Sequence, residues 1–123
     1  EIKIDPDGGV ISTNVEIQGQ IAAGYYLQLY EVNSNNVVFE YSGTNEFDDD
    51  DYRTLPNTAE KNIGRVIMLD TTVACIEEEL EEGLEFTIIL SIIQDGEIVG
   101  EARYTNQLIE CVQSSLIIVK LIQ

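Results

Sequence analysis

A chain of 123 residues is long enough to bury a core of its own, and we expect one domain spanning residues 1–123. Its 23 acidic and 6 basic residues give a net charge of −17, which disfavours nucleic acid and anionic membrane surfaces as partners. No apolar stretch is long enough for a membrane-inserted helix. The chain has no histidine, and therefore lacks the commonest general base and zinc ligand, so we expect no enzymatic activity and no required cofactor.

The first third of the chain has the apolar–polar alternation of half-buried β-strands. A short strand over residues 1–5 and a turn at residues 5–9 lead into the clearest pattern, at residues 10–22. There Ile11, Thr13, Val15, Ile17 and Ile21 share one face, which predicts a single strand. Strands over residues 25–32 and 37–42 flank an Asn-Ser-Asn-Asn turn, which predicts a hairpin.

A polar loop over residues 43–62 carries a run of acidic side chains. Five of them concentrate hard oxygen ligands of the kind that calcium prefers: Glu46, Asp48, Asp49, Asp50 and Asp51. The segment does not match an EF-hand, and a solvated acidic loop is the simpler interpretation. The sequence leaves both a calcium site and a plain acidic loop open.

The second half of the chain continues the strand pattern with one interruption. Residues 63–75 predict an interior strand, and the spacing of Ile76, Leu80 and Leu84 predicts a short helical turn near 76–82. Strands over 86–93 and 98–106 flank Asp95-Gly96, a strong hairpin signal, and residues 116–122 predict the last strand. The fold class is therefore all-β, an antiparallel sandwich of about eight or nine strands.

The segment 80–90 (LEEGLEFTIIL) resembles the E–F corner of fibronectin type III and related immunoglobulin-like domains, and residues 100–106 resemble their final hairpin. The resemblance covers residues 63–112 and implies an immunoglobulin-like sandwich used for adhesion, spacing or ligand display. The sequence departs from the family at Phe86, which replaces the corner tyrosine, and at Glu82, which replaces a proline. It also has no tryptophan.

Cys75 and Cys111 each lie at the end of an apolar run. As a disulfide they would close a loop worth about 4 kcal/mol in the chain-entropy model, and as free thiols they would be buried core residues. We expect the disulfide, which places the protein outside the cell, at the cell surface or in the periplasm.

Two further features bear on binding. Tyr26 and Tyr30 share one face of a strand and form a candidate ligand face for sugar or peptide. The terminal run is apolar on both faces, so both must be covered, either within its own sandwich or by a neighbouring subunit. The residues of this candidate assembly strand are Leu116, Ile117, Ile118, Val119, Leu121 and Ile122.

The sequence therefore favours a secreted, non-catalytic structural or assembly module. Its concrete form is a self-assembling subunit of a filament, pilus or coat that uses the terminal strand. The alternative is an adhesion module that binds carbohydrate or a surface protein, with calcium dependence through the acidic loop.

Overall fold

The computed structural model describes residues 1–45, 51–76 and 84–123, and within them the chain forms nine strands and one short helix. The elements are β1 (Ile2–Lys3), β2 (Ile11–Gln18), β3 (Ile21–Tyr30), β4 (Val37–Thr44), β5 (Asp51–Thr54), α1 (Ala59–Asn62), β6 (Val66–Cys75), β7 (Glu85–Gln94), β8 (Glu97–Gln107) and β9 (Val112–Ile122). The prediction of an all-β sandwich of eight or nine strands is confirmed.

The strands form two sheets, ordered β1-β9-β6-β3-β4 and β5-β2-β7-β8. Every pair is antiparallel except β1 and β9, which run parallel with Ile2 beside Leu121. The antiparallel sandwich that the sequence predicts thus contains one parallel pair. Parallel neighbours need a long connection, and here almost the whole chain lies between the first strand and the last.

The core lies between the two sheets and is built from alternate residues of the strands that face each other. Leu27, Leu29, Ile67 and Leu69 from one sheet are fully buried, as are Ile88, Leu90 and Ile92 from the other. Ile2 of β1 and the following Ile4 are buried with them. β6 lies between β3 and β9, as expected of an interior strand.

The single strand predicted over residues 10–22 is two strands in different sheets. β2 ends at Gln18, and β3 begins at Ile21 after a turn at Gly19. Gly19 has φ +130°, and a Cβ there would lie 2.9 Å from the carbonyl oxygen of Glu85. Only glycine fits this reversal, and Ile21 is consequently buried from the five-stranded sheet rather than from β2.

The two predicted hairpins are confirmed, with positive φ at Asn33 in one turn and at Asp95 and Gly96 in the other. The loop over 43–62 is more structured than predicted, because it contains β5, which pairs with β2, and α1. The helical turn predicted near 76–82 lies outside the described residues except for Ile76, where the chain bends.

A buried arginine joins three elements at one end of the sandwich. The Arg65 side chain is 2% exposed and donates from Nε and Nη2 to the carboxylate of Glu31 at 3.1 and 3.0 Å. Its Nη1 donates to the side-chain oxygens of Asn57 and Asn62, and its backbone oxygen accepts from Leu121. This network fixes α1 and the end of β3 against β9.

The segment that resembles the E–F corner continues into β7, where Phe86 is 1% exposed and its ring lies 6.2 Å from that of Tyr104. The two-sheet sandwich agrees with the resemblance at the level of architecture. The strand order differs from that of an immunoglobulin constant-type domain, whose last two strands share one sheet. Here β8 and β9 lie in different sheets.

Candidate functional site

β9 has one paired side and one largely open side. Residues 112–120 pair with β6, and on the other side β1 covers only the end of the strand, with Ile2 beside Leu121 and Lys3 beside Ile122. The backbone oxygens of Cys111 and Leu121 accept from the β6 side, while that of Ile122 accepts from Ile4. Since backbone groups of alternate residues point to opposite sides of a strand, even-numbered residues face outward. We call the outward N–H and C=O groups of Val112, Ser114, Leu116 and Ile118 the β9 edge.

The two faces of β9 have different surroundings. Ile117, Val119 and Leu121 point into the core of the sandwich and are 8%, 3% and 0% exposed. Leu116 and Ile118 point away from it and are 51% and 61% exposed, and Ile122 is half-buried. The strand is therefore an integral part of its own sandwich, and the outer face is the one that the described residues leave open.

β9 lacks the features that commonly protect an edge strand. β4, at the opposite edge of the same sheet, has a bulge at its pairing with Leu29 and Tyr30. β8 has a bulge beside Ile92 and Ile93 and carries three charged residues. β9 pairs with β6 without a register shift, and its residues 112–119 carry no charge. Bulges and charges hinder edge-to-edge pairing, so β9 is the described edge best suited to accept another strand.

A shallow groove of about 520 Å³ adjoins β9 on the outer face of the five-stranded sheet. The hydroxyl of the predicted ligand-face residue Tyr30 donates to Gln28 at 2.7 Å. Tyr26 lies outside the groove, and its hydroxyl donates to Glu40, a contact that raises the pKa of the tyrosine. The two predicted ligand-face tyrosines thus have different surroundings. The groove is lined by Tyr30, Ser34, Asn35, Val37, Val66, Met68 and Ile118.

Asp51 is the one member of the predicted calcium group that the structure describes, since Glu46, Asp48, Asp49 and Asp50 lie outside the described residues. Its Oδ2 accepts from the hydroxyl of Tyr25, and its Oδ1 lies 3.3 Å from Nη2 of Arg53. Both carboxylate oxygens therefore already have protein partners. The described part of the chain contains no group of three or more potential metal ligands, and the calcium site stays a prediction.

Cys75 and Cys111 form a disulfide with their Cα atoms 4.9 Å apart, as predicted. It joins the last residue of β6 to the residue preceding β9, and the Cys75 N–H also donates to the Cys111 oxygen at 2.9 Å. The bridge therefore fixes the position at which β9 begins.

No helix in the described ranges has the length and apolar character needed to cross a membrane.

The comparisons with known proteins identify no relative: no family model matches the chain, and no curated protein or solved structure does so either. The apolar run predicts β9 only from Leu116 onward. Val112, Ser114 and Ser115 also belong to the strand, but their small or isolated side chains give no apolar run. Only the pairing pattern shows that Val112 and Ser114 belong to the open edge and that Ser115 lies next to them with its backbone groups toward β6.

Proposed function

We propose that this chain is a non-catalytic structural module that assembles by pairing the β9 edge with a strand of another polypeptide. The observation that carries the proposal is a long edge with neither charge nor bulge, next to exposed Leu116 and Ile118. An added strand would bond the outward backbone groups and cover these two side chains. Burying the exposed half of each is worth about 1 kcal/mol.

An extracellular location is part of the proposal, and the disulfide supports it because such bonds persist in oxidising compartments. A subunit of a filament, pilus or coat is the concrete setting. Membership of the fibronectin type III or immunoglobulin-like families stays a prediction.

The groove beside Tyr30 favours a second candidate, a module that binds a carbohydrate or a protein surface. Its apolar lining residues, together with the amide of Asn35 and the hydroxyl of Tyr30, combine the contacts that small ligand sites use. This candidate predicts a monomer whose ligand affinity falls in a Tyr30→Ala variant.

Sedimentation velocity over a range of protein concentrations tests the assembly proposal. A Ser114→Pro variant removes one outward N–H without touching the ladder to β6, and Ser114→Ala is its matched control. We expect the control to assemble like the unmodified chain and the proline variant to remain monomeric at the same melting temperature. An unmodified chain that is monomeric throughout, or a proline variant that assembles fully, would overturn the proposal.

Deleting the strand is a poor test, because it would remove the buried side chains of Ile117, Val119 and Leu121 and unfold the sandwich. If Ser114→Pro proves unstable, Ile118→Lys provides a second variant on the exposed face. Its matched control is Ile98→Lys on β8, where the native side chain is also 61% exposed. Loss of assembly in Ile118→Lys alone would support the β9 edge.

A further inference from the structure

The open part of the β9 edge is bounded at both ends. At one end, the disulfide holds Cys111 beside β6. At the other end, Ile2 of β1 lies beside Leu121. In a parallel ladder a residue forms its hydrogen bonds with the two neighbours of the residue beside it, which are Lys120 and Ile122 here. β1 therefore covers the edge from Lys120 onward. The outward-facing residues in between run from Val112 to Ile118, and their midpoint is Ser115.

Ser115 points toward the core and lies beside Thr71 of β6. Its Oγ is buried but has no hydrogen-bond partner among the described residues. A buried hydroxyl without a partner is unfavourable, and most such groups in proteins are paired. Thr71 Oγ1, across from it on β6, is buried without a partner as well, so within the described part of the chain these two hydroxyls have only each other. A strand added at the open edge supplies a second partner from the other side of Ser115.

We infer that the strand added to the β9 edge belongs to a second copy of this chain; this inference rests on the proposed pairing of that edge. The two β9 strands are then antiparallel about a two-fold axis at Ser115. In this register Ser115 lies directly opposite the partner's Ser115, as a non-hydrogen-bonded pair with Cα atoms about 4.5 Å apart. The two hydroxyls can then bond to each other, as Ser and Thr pairs do across strands.

The same register matches the exposed side chains. Val112 lies opposite the partner's Ile118, and both are 61% exposed in the single chain. Leu116 lies opposite the partner's Ser114, and the backbone groups of all these residues face the edge as hydrogen-bonded pairs. The pairing therefore buries Val112 against the partner's Ile118 and provides hydrogen-bond partners for the outward backbone groups of both strands.

Charge complementarity supports the same register. The register places Glu110, at the bend that precedes β9, near the side chain of the partner's Lys120, where β1 begins to cover the edge. Both side chains are exposed, and neither forms an ion pair within the described part of the chain. Exposed ion pairs add little affinity, but they help to select one register over another.

A pairing of this kind closes on itself. Each copy uses the same edge, so the contact is isologous and ends at two chains. The joined sheet has eight strands side by side, and β1 of each copy stays beside the end of its own β9. The bulges on β4 and β8 disfavour further growth through the other long edges. We therefore expect a dimer as the unit from which any larger structure is built.

Cysteine crosslinking tests the register. In Ser115→Cys the two new thiols meet at the two-fold axis, within the Cα separation that a disulfide spans, and oxidised glutathione should link the chains. The matched control Gln113→Cys is on the same face but lies opposite the partner's Ile117, so two such thiols are too far apart to link. We expect a covalent dimer from Ser115→Cys at least ten times more abundant than from Gln113→Cys, with peptide mapping showing the native Cys75–Cys111 bond intact.

A charge exchange provides a second test, on two exposed side chains. Lys120→Glu and Glu110→Lys should each weaken dimerisation several-fold, and the double variant should restore it. Dimers that crosslink equally through Gln113→Cys, or not at all through Ser115→Cys, would overturn the register but leave edge pairing in place. Open-ended particles that are not built from Ser115→Cys-crosslinked dimers would overturn the closed dimer, whereas a strict monomer would overturn the edge pairing as well.

Discussion

Arg65 is the largest side chain in the fully buried set, and its charge makes its burial costly unless every donor is satisfied. The chain supplies a carboxylate from Glu31 and amide oxygens from Asn57 and Asn62. Asn62 is itself fully buried and donates to the backbone oxygens of Pro56 and Thr58. The network thus orders a loop that has little apolar surface of its own.

The Glu31–Arg65 pair makes stability depend on pH. Hydrogen bonds from Arg65, followed by one from the Val32 N–H, lower the pKa of Glu31 from 4.5 to about 2. The unfolded chain therefore takes up this proton at higher pH than the folded chain does. The contribution of the pair is complete above about pH 5 and is lost as the pH falls through about 2.

Urea unfolding at pH 7, 4 and 2 checks this expectation. Glu31→Gln should lower the free energy of unfolding at pH 7 and converge with the unmodified chain at pH 2. Glu101→Gln is the matched control, because its partner Arg103 is 58% exposed and such pairs contribute little at any pH. A constant difference between Glu31→Gln and the unmodified chain at all three pH values would contradict the assignment.

At the level of elements, the disulfide joins the end of β6 to the start of β9 and closes a loop with a sequence separation of 36. In the chain-entropy model its loss costs about 4 kcal/mol of unfolding free energy. A Cys75→Ala, Cys111→Ala double variant should show this loss in denaturant titration. Reductant should bring the unmodified chain to the same stability and leave the double variant unchanged; an effect of reductant on the double variant would point to another cause.

The sequence predicted the elements that are determined by residues close together in the chain, such as the two hairpins. The turn at Asp95-Gly96 and the Asn-rich turn at residue 33 need positive φ, and the residues there adopt it readily, so both hairpins were found. The break at Gly19 was missed because the apolar alternation continues from Ile17 to Ile21 across it. β5 and α1 were missed because their four residues each are too few to show a period.

The candidate site was predictable only in part, for a similar reason. The apolar run of β9 is visible in the sequence, and Leu116 and Ile118 share a face there. Which face is covered depends on β6 and on the opposite sheet, and which backbone groups stay open depends on where β1 ends. These are non-local facts, so Ser115 became informative only once its neighbours were known.

Across the whole molecule, the acidic residues are distributed unevenly. The last of the 23 is Glu110, and Lys120 is the only charged side chain in the residues that follow. In a chain with a net charge of −17, β9 thus carries no negative side chain. Two copies that meet through β9 approach each other where their mutual repulsion is least, although the charge of the two bodies still opposes association.

Ionic strength should therefore strengthen the dimer. Raising the salt from about 0.02 M to about 0.5 M shortens the screening length from about 20 Å to about 4 Å. This removes most of the repulsion between the two acidic bodies, while the hydrogen bonds and apolar contacts along β9 are little affected. We expect the dissociation constant from sedimentation equilibrium to fall by at least tenfold. A dimer that dissociates in salt would show that the Glu110–Lys120 pairs, rather than the strand contact, hold the copies together.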